Sequence, residues 1–117
     1  MPSQFDLIGK LLEATSVRQR VISQNVSNVN TPGYHRQEVR FEDELTRLLQ
    51  DRPGGSLEDL EIAVQETLGL GERADGNNVD IDMEMGQMTR NVLLYQTYSQ
   101  ILGTKLGMMR SAISGQP

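Results

Sequence analysis

The sequence predicts a mainly α, elongated fold. Long N- and C-terminal helices are expected to pair as an antiparallel coiled-coil-like bundle around a partly irregular middle that holds a short strand or hairpin. Three observations predict it. In the last third of the chain, Met85, Met88, Val92, Tyr95, Ser99, Leu102, Leu106, Met109 and Ile113 recur in alternating steps of three and four, the a/d seam of a helix that packs on another helix. A rougher copy of that frame, Ile8, Leu11, Thr15, Ile22, Asn25 and Val29 with Arg18 interrupting it, runs through the first thirty residues. Charge is also partitioned. Four basic and two acidic residues give +2 over Met1–Gln37, four basic and fourteen acidic give −10 over Glu38–Glu84, and three basic with no acidic residue give +3 over Met85–Pro117.

The N-terminal helix is predicted from about Gln4 to about Val29, with Ser3 as N-cap and Asp6 in the favourable first turn. Leu7, Leu12, Ala14, Val21 and Val26 flank its stripe and widen it. Tyr34–Phe41 alternates loosely, as a short strand does. Phe41–Leu49 reads as a short helix with Leu45, Leu48 and Leu49 on one face. Asp51–Ser56 (DRPGGS) is a breaker. Leu57–Leu70 reads as either weakly helical or extended, and Gly69–Gly71 and Asp75–Asn78 interrupt again. The chain thus divides into an N-terminal helix and turn (1–33), an irregular acidic middle (34–79) and a C-terminal heptad helix (80–117), one structural unit in all. About thirty residues of C-terminal helix would extend roughly 45 Å, longer than a compact domain of this size is wide. No other part of the chain supplies enough apolar surface to cover that seam, so its cover is expected from another helix.

The stretch NVSNVNTPGY (Asn25–Tyr34) ends the first helix. Asn25, Asn28 and Asn30 are poor in a helix interior but suit its last turns, where an amide satisfies a free carbonyl. Thr31 precedes proline and is pushed to an extended conformation. Pro32 and Gly33 fit the two central positions of a type II turn, and Tyr34 follows. The plain reading of these residues is an ordinary helix stop at a fixed place.

Composition closes off several functions. The 117 residues are 37% apolar and 4% aromatic, with no tryptophan and no cysteine. That allows at most one ordinary domain with a thin core and excludes disulfides and thiolate metal sites. No basic stripe suggests nucleic acid, no apolar run suggests direct membrane insertion, and Met1–Asp6 shows no cleavable secretory signal. Asp75, Asn77, Asp80, Asp82 and Glu84 fail the calcium-loop template in both frames. They read instead as helix initiation, with Asp80 or Asp82 capping and Asn77 and Asn78 making the preceding turn. His35 stands beside no nucleophile motif and reads as a surface histidine. No phosphate-binding loop occurs. Gly103 and Gly107 have a close-packing spacing that suggests a neighbouring backbone. No catalytic, cofactor or metal residue is expected.

Asn25-x-x-Asn28-x-Asn30-Thr31-Pro32-Gly33-Tyr34, after a heptad-bearing helix that begins near residue 1, resembles the N-terminal signature of the bacterial flagellar axial proteins, the rod, hook and hook-associated family. Ser27 stands where that signature usually has alanine. Asp75–Met85 (DGNNVDIDMEM) resembles the segment before the C-terminal helix in proximal rod members, and Met108–Gly115 (MMRSAISG) resembles their terminus. The likeness covers roughly residues 1–45 and 74–115. It implies a non-enzymatic structural subunit of the proximal rod of the flagellar basal body. Such a subunit assembles by helix–helix packing into a helical tube that transmits torque and surrounds the export channel. Implied partners are further copies of the chain, neighbouring flagellar rod proteins, the basal-body ring or export-gate adaptor and the flagellar type III export apparatus. The implied location is the periplasmic rod, reached without a cleaved signal peptide. The Asn25–Tyr34 motif would mark the turn, and Met85, Met88, Val92, Tyr95, Leu102, Leu106, Met109 and Ile113 the assembly seam. A coiled-coil adaptor or regulator of a secretion system is the alternative.

Overall fold

Helix α1 (Gln4–Ser27) opens the structure, a computed structural model that describes residues 4–51, 57 and 60–115. The Ser3 cap and the breaker at 52–56 expected from the sequence lie outside these residues. Polar side chains bond back onto the last turn of α1. Ser27 Oγ donates to Ser23 O and Asn28 Nδ2 to Gln24 O, which satisfies carbonyls that the ending helix leaves free.

A short strand β1 (Gln37–Val39) follows, then helix α2 (Phe41–Asp51), strand β2 (Val64–Glu66) and helix α3 (Ile81–Ser114). β1 and β2 pair antiparallel in the register Gln37↔Glu66, Glu38↔Gln65 and Val39↔Val64. The 60–70 stretch is therefore extended where it pairs, because β1 offers it a ladder that a lone helix would not have. α2 carries Glu42, Asp43 and Glu44 in its first turn, favourable beside the positive helix end. Its inner face is Phe41, Leu45 and Leu48; Leu49, expected on that face, is exposed.

The apolar core lies between α1 and this middle segment. Ala14 and Val21 of α1 bury against Val39, Phe41, Leu48, Leu57 and Leu60, with Leu7, Leu11, Val17, Leu45 and Ile62 around them. Leu7, Ala14 and Val21, three of the positions that flank the α1 stripe in the sequence, thus belong to a second face, which the middle segment covers. Phe41, 1% exposed, is the largest side chain there.

α3 spans 34 residues, about 51 Å at 1.5 Å per residue. Asp80 caps it by accepting from the backbone of Asp82 and Met83, and Gly115 closes it in the left-handed conformation (φ 71°) with its N–H on Ser111 O. α3 runs antiparallel to α1: Glu84 meets Asn25, Asn91 meets Thr15 and Gln19, and Lys105 meets Gln4. The molecule measures 64 × 30 × 15 Å, with a radius of gyration of 17.9 Å against roughly 13 Å for a compact chain of this length.

The face that α3 turns to α1 differs from the one its apolar rhythm predicts. Glu84, Asn91, Tyr98 and Lys105 recur every seven residues and are buried or half-buried. This polar line sits one residue ahead of Met85, Val92, Ser99 and Leu106, all of which are exposed. The reason is hydrogen-bond satisfaction. Glu84, Asn91 and Lys105 of the polar line find partners on α1, and a buried polar group without one costs about 1–3 kcal/mol. Asn91 illustrates both sides, since its Nδ2 donates to Thr15 O (2.8 Å) and Gln19 Oε1 (3.1 Å) while its buried Oδ1 has no partner.

Candidate functional site

At one end of the long axis, the end of α1, the Thr31–Tyr34 turn, β1, the 67–79 loop and the start of α3 meet in a buried polar node. Its centre is Asn25, fully buried on the last turns of α1. The Asn25 amide donates through Nδ2 to Gln37 O (2.9 Å) and accepts at Oδ1 from Gln37 N (3.0 Å). It therefore pairs with both backbone groups of Gln37 as a neighbouring strand would. Only a side chain with a donor and an acceptor in one plane can do so. Tyr34 Oη also donates to Asn25 Oδ1 (3.0 Å), and Asn25 Nδ2 reaches Glu84 Oε2 (3.2 Å).

Glu84, also fully buried, ties the node to α3. Arg36 Nε donates to Glu84 Oε1 at 2.5 Å and Arg36 Nη2 to Oε2 at 3.4 Å. Arg36 Nη1 goes to Thr67 Oγ1 (2.8 Å), and the Arg36 carbonyl accepts from Thr67 N (3.1 Å). The ion pair is thus paired and hydrogen-bonded on both sides, as burial of charge demands. Burial, helped by the Glu84 charge and opposed by Arg36, raises the pKa of the Tyr34 phenol above its ordinary value.

Two turns lock together beneath this centre. Tyr34 N donates to Thr31 O (3.2 Å) and Gly33 has φ 76°, which makes Thr31–Tyr34 a type II turn. Gly33 N donates to Asp75 O (2.8 Å), and Gly76 (φ 84°) packs so closely that a Cβ there would lie 3.3 Å from Gly33 Cα. Asn77, wholly buried, donates through Nδ2 to Asn28 O and Thr31 O, both at 2.8 Å, and accepts from Val79 N (2.7 Å). Asn78 Oδ1 accepts from Arg36 N (2.7 Å), and Asn78 N donates to Tyr34 O (3.3 Å). Arg73 donates to Val79 O and Val29 O, closing the loop onto the end of α1.

The motif residues therefore converge, and they converge on the segment before α3. Asn25, Asn28, Thr31, Gly33 and Tyr34 all bond within the node; Asn30 and Pro32 are exposed. Asn77 and Asn78 do more than shape a turn before α3, because they bridge back to the first turn. Asp80 is the cap, and Asp82 supplies an N–H to it. Arg36, Thr67, Arg73 and Glu84 were not singled out by sequence reasoning as node residues. The available signal was the seven-residue line from Glu84 to Asn91, Tyr98 and Lys105, visible beside the apolar seam.

The seam residues lie apart from the node. Met85, Val92, Tyr95, Leu106, Met109 and Ile113 are exposed, and Met88 and Leu102 are half-buried. A groove of about 340 Å³ runs beside this face between the helices, lined by Thr15, Ser16, Gln19, Asn91, Val92 and Tyr95. Gly103 and Gly107 have no atom within 4 Å of an added Cβ.

His35 lies at the surface of the node between two carboxylates. Nδ1 is 2.5 Å from Glu66 Oε1 and Nε2 is 2.7 Å from Glu72 Oε1. Its pKa is raised, first by the hydrogen bond with Glu66, against some desolvation, and further by the Glu66 and Glu72 charges. Among the described residues, no three or more His, Cys, Asp or Glu side chains are grouped to hold a metal ion, and no helix is long and apolar enough to cross a membrane.

The N-terminal part of the node falls within a match to a known family. A family model described as flagella basal body rod protein matches residues 12–35, the last two-thirds of α1 and the type II turn. Over longer spans the chain is similar to flagellar basal body rod protein FlgB of Borrelia hermsii, 32% identical over 82% of this chain and 84% of that protein. It is 30% identical to FlgB of Escherichia coli (strain K12), over 89% of this chain and 88% of that protein. It is 25% identical to FlgB of Bacillus subtilis (strain 168), over the same shares.

Proposed function

The chain belongs to the flagellar basal body rod protein FlgB family, and from that premise we propose that it is a subunit whose α1–α3 pair packs against the helices of neighbouring subunits to build a helical tube. The observation that carries this reading is the apolar α3 face. Val92, Tyr95, Leu106, Met109 and Ile113 stay open while the polar line beside them is engaged with α1. A fixed, narrow apolar stripe on a long helix is the form of surface that another helix covers.

The node has a mechanical role in this reading. It fixes the angle between α1, the turn and α3, so the stripe is presented in one orientation. Thr31–Tyr34 and Asn77–Asp80 act as the rigid corner through which torque passes, and the outer segment 34–79 meets a different neighbour. The subunit reaches the periplasmic rod through the flagellar type III export apparatus without a cleaved signal, joins other copies, neighbouring rod proteins and the basal-body ring or export-gate adaptor, and surrounds the export channel. It performs no catalysis.

Tagging the chain in its native host tests this. Tagged protein should co-purify with basal bodies, and a strain lacking it should be non-motile and should not assemble later rod proteins. A chain that stays in the cytoplasm in a stoichiometric complex, without entering basal bodies, is an adaptor and refutes the reading.

A further inference from the structure

The two-stranded ribbon is closed along one edge and open along the other. The bond from Thr67 N to Arg36 O sets its alternation. Gln65 therefore bonds to Glu38, while Gln37 and Val39 point away from β2, and Val64 and Glu66 away from β1. On the β1 side the outward groups are taken up by α1. Asn25 pairs with both backbone groups of Gln37, and Arg18 Nη2 donates to Val39 O (3.0 Å). On the β2 side the outward N–H and C=O groups of Val64 and Glu66 have no hydrogen bond among the described residues. All of β2 is exposed. An edge of this kind is a template for a further strand.

The surroundings of the edge specify the chemistry of the added strand. Side chains alternate between the two faces of the ribbon. Val64 (48% exposed) stands on one face, Leu68 (87%) follows just past the strand, and Glu66 between them is held by His35. Ala63 and Gln65 stand on the other face, beside a hollow of about 340 Å³ that Arg40, Glu44, Leu60 and Glu61 complete. Arg40 is paired with Asp43 and Glu44 with Arg47, which leaves Glu61 as the hollow's unpaired carboxylate among the described residues. Over residues 60–72 the chain has three glutamates and no lysine or arginine. We propose that the outer edge of β2 takes, as a third strand, an extended segment of a different protein in which apolar residues alternate with lysine or arginine. The apolar side chains cover Val64 and Leu68, and the basic ones reach Glu61. A second copy is a poor fit, because antiparallel β2–β2 pairing brings two acidic edges together and, being isologous, closes at a dimer. The contact rests on the reading that segment 34–79 meets a different neighbour, and it names the chemistry of that neighbour.

Titrating the purified, isotope-labelled full-length chain with a capped seven-residue peptide of alternating lysine and valine tests this by NMR. The amide signals of Val64, Glu66 and Leu68 should move, and the Val64 and Glu66 amides should exchange with solvent more slowly. A peptide of alternating glutamate and valine should bind more weakly. Val64→Pro removes an outward donor but neither bond to β1, which Gln65 and Thr67 make. It should weaken binding about tenfold, the loss of one peptide hydrogen bond. Glu61→Lys should weaken it about threefold, the effect of one exposed pair made repulsive, and decides the matter alone if Val64→Pro disturbs the ribbon. The proposal is overturned by the absence of shifts at 64–68, by equal binding of the two peptides, by a folded variant that binds as tightly as the parent, or by shifts confined to the α3 stripe. Protection of β2 that rises with the chain's own concentration, without peptide, overturns it in favour of a second copy. Absence of binding in a chain that enters basal bodies sinks this contact alone. Binding by a chain absent from basal bodies sinks the assignment to the rod instead.

Discussion

Asn25 illustrates how much one side chain can decide. Its amide is at once a helix residue, a strand partner for Gln37, an acceptor for Tyr34 and a donor to Glu84. Asn25→Ala leaves Gln37 N–H and C=O and the Tyr34 hydroxyl without this partner in a buried site, and should cost about 3 kcal/mol in urea unfolding. Asn25→Asp keeps the acceptor but turns a carboxylate toward Glu84 and Gln37 O, and should cost at least as much near neutral pH. If Asp replaced Asn freely, the strand-like pairing would not be what holds the node. His35 provides a pH signature. Its raised pKa means that protonation stabilises the folded chain. That contribution is complete below the ordinary value of about 6.5 and is lost as pH rises through the raised folded pKa. As the chain has one histidine, its ring proton resonance can be followed by NMR without ambiguity. The midpoint should lie above the ordinary value and fall back in Glu66→Gln/Glu72→Gln. An ordinary midpoint in the unaltered chain would show that the two carboxylates do not hold the ring in solution.

At the scale of elements, the two turns form one joint. Gly33 and Gly76 both have positive φ, but only Gly76 faces backbone, with Gly33 Cα 3.3 Å from a would-be Cβ. Gly33→Ala should therefore cost about 1 kcal/mol for the left-handed conformation alone, and Gly76→Ala about 2 kcal/mol or more because the turns must also separate. Chemical denaturation of the two variants gives the order, and equal costs would mean that the turns part easily. The same joint explains why the middle of the chain departs from an irregular linker. β1 leaves the turn in an extended course because Arg36 and Gln37 are bonded on both sides. That places Phe41 and Leu48 over α1, and β2 then adds to the free edge of β1.

For the whole molecule, elongation follows from a shortage of apolar surface. α1 has two covered faces, one under α3 and one under the middle segment, whereas α3 has only one. On the proposed assembly, the open stripe of α3 is buried against another molecule. Val92→Glu/Tyr95→Glu should leave the monomer's helicity and unfolding nearly unchanged, since both residues are exposed, and should abolish association detected by sedimentation and incorporation into basal bodies. Loss of the monomer fold would mean instead that the stripe belongs to the chain's own core. Association should also raise helicity with concentration, because the C-terminal turns of α3 lack tertiary support alone.

The sequence by itself determined the two long helices, the turn at Thr31–Tyr34 and the cap before α3, since these rest on local rules: spacing of apolar residues, proline and glycine geometry, and side chains that bond to nearby backbone. Even the identity of the family was written in contiguous residues. What only the tertiary structure decided is the rotation of α3 and the contents of the node. Apolar periodicity pointed to Met85, Val92 and Leu106, but Glu84, Asn91 and Lys105 face α1 instead. A polar residue's preferred face depends on whether a partner waits there, and Asn25 is 59 residues from Glu84 along the chain. That partner exists only once the chain has folded, so the seven-residue polar line was visible in the sequence but its place against α1 was not.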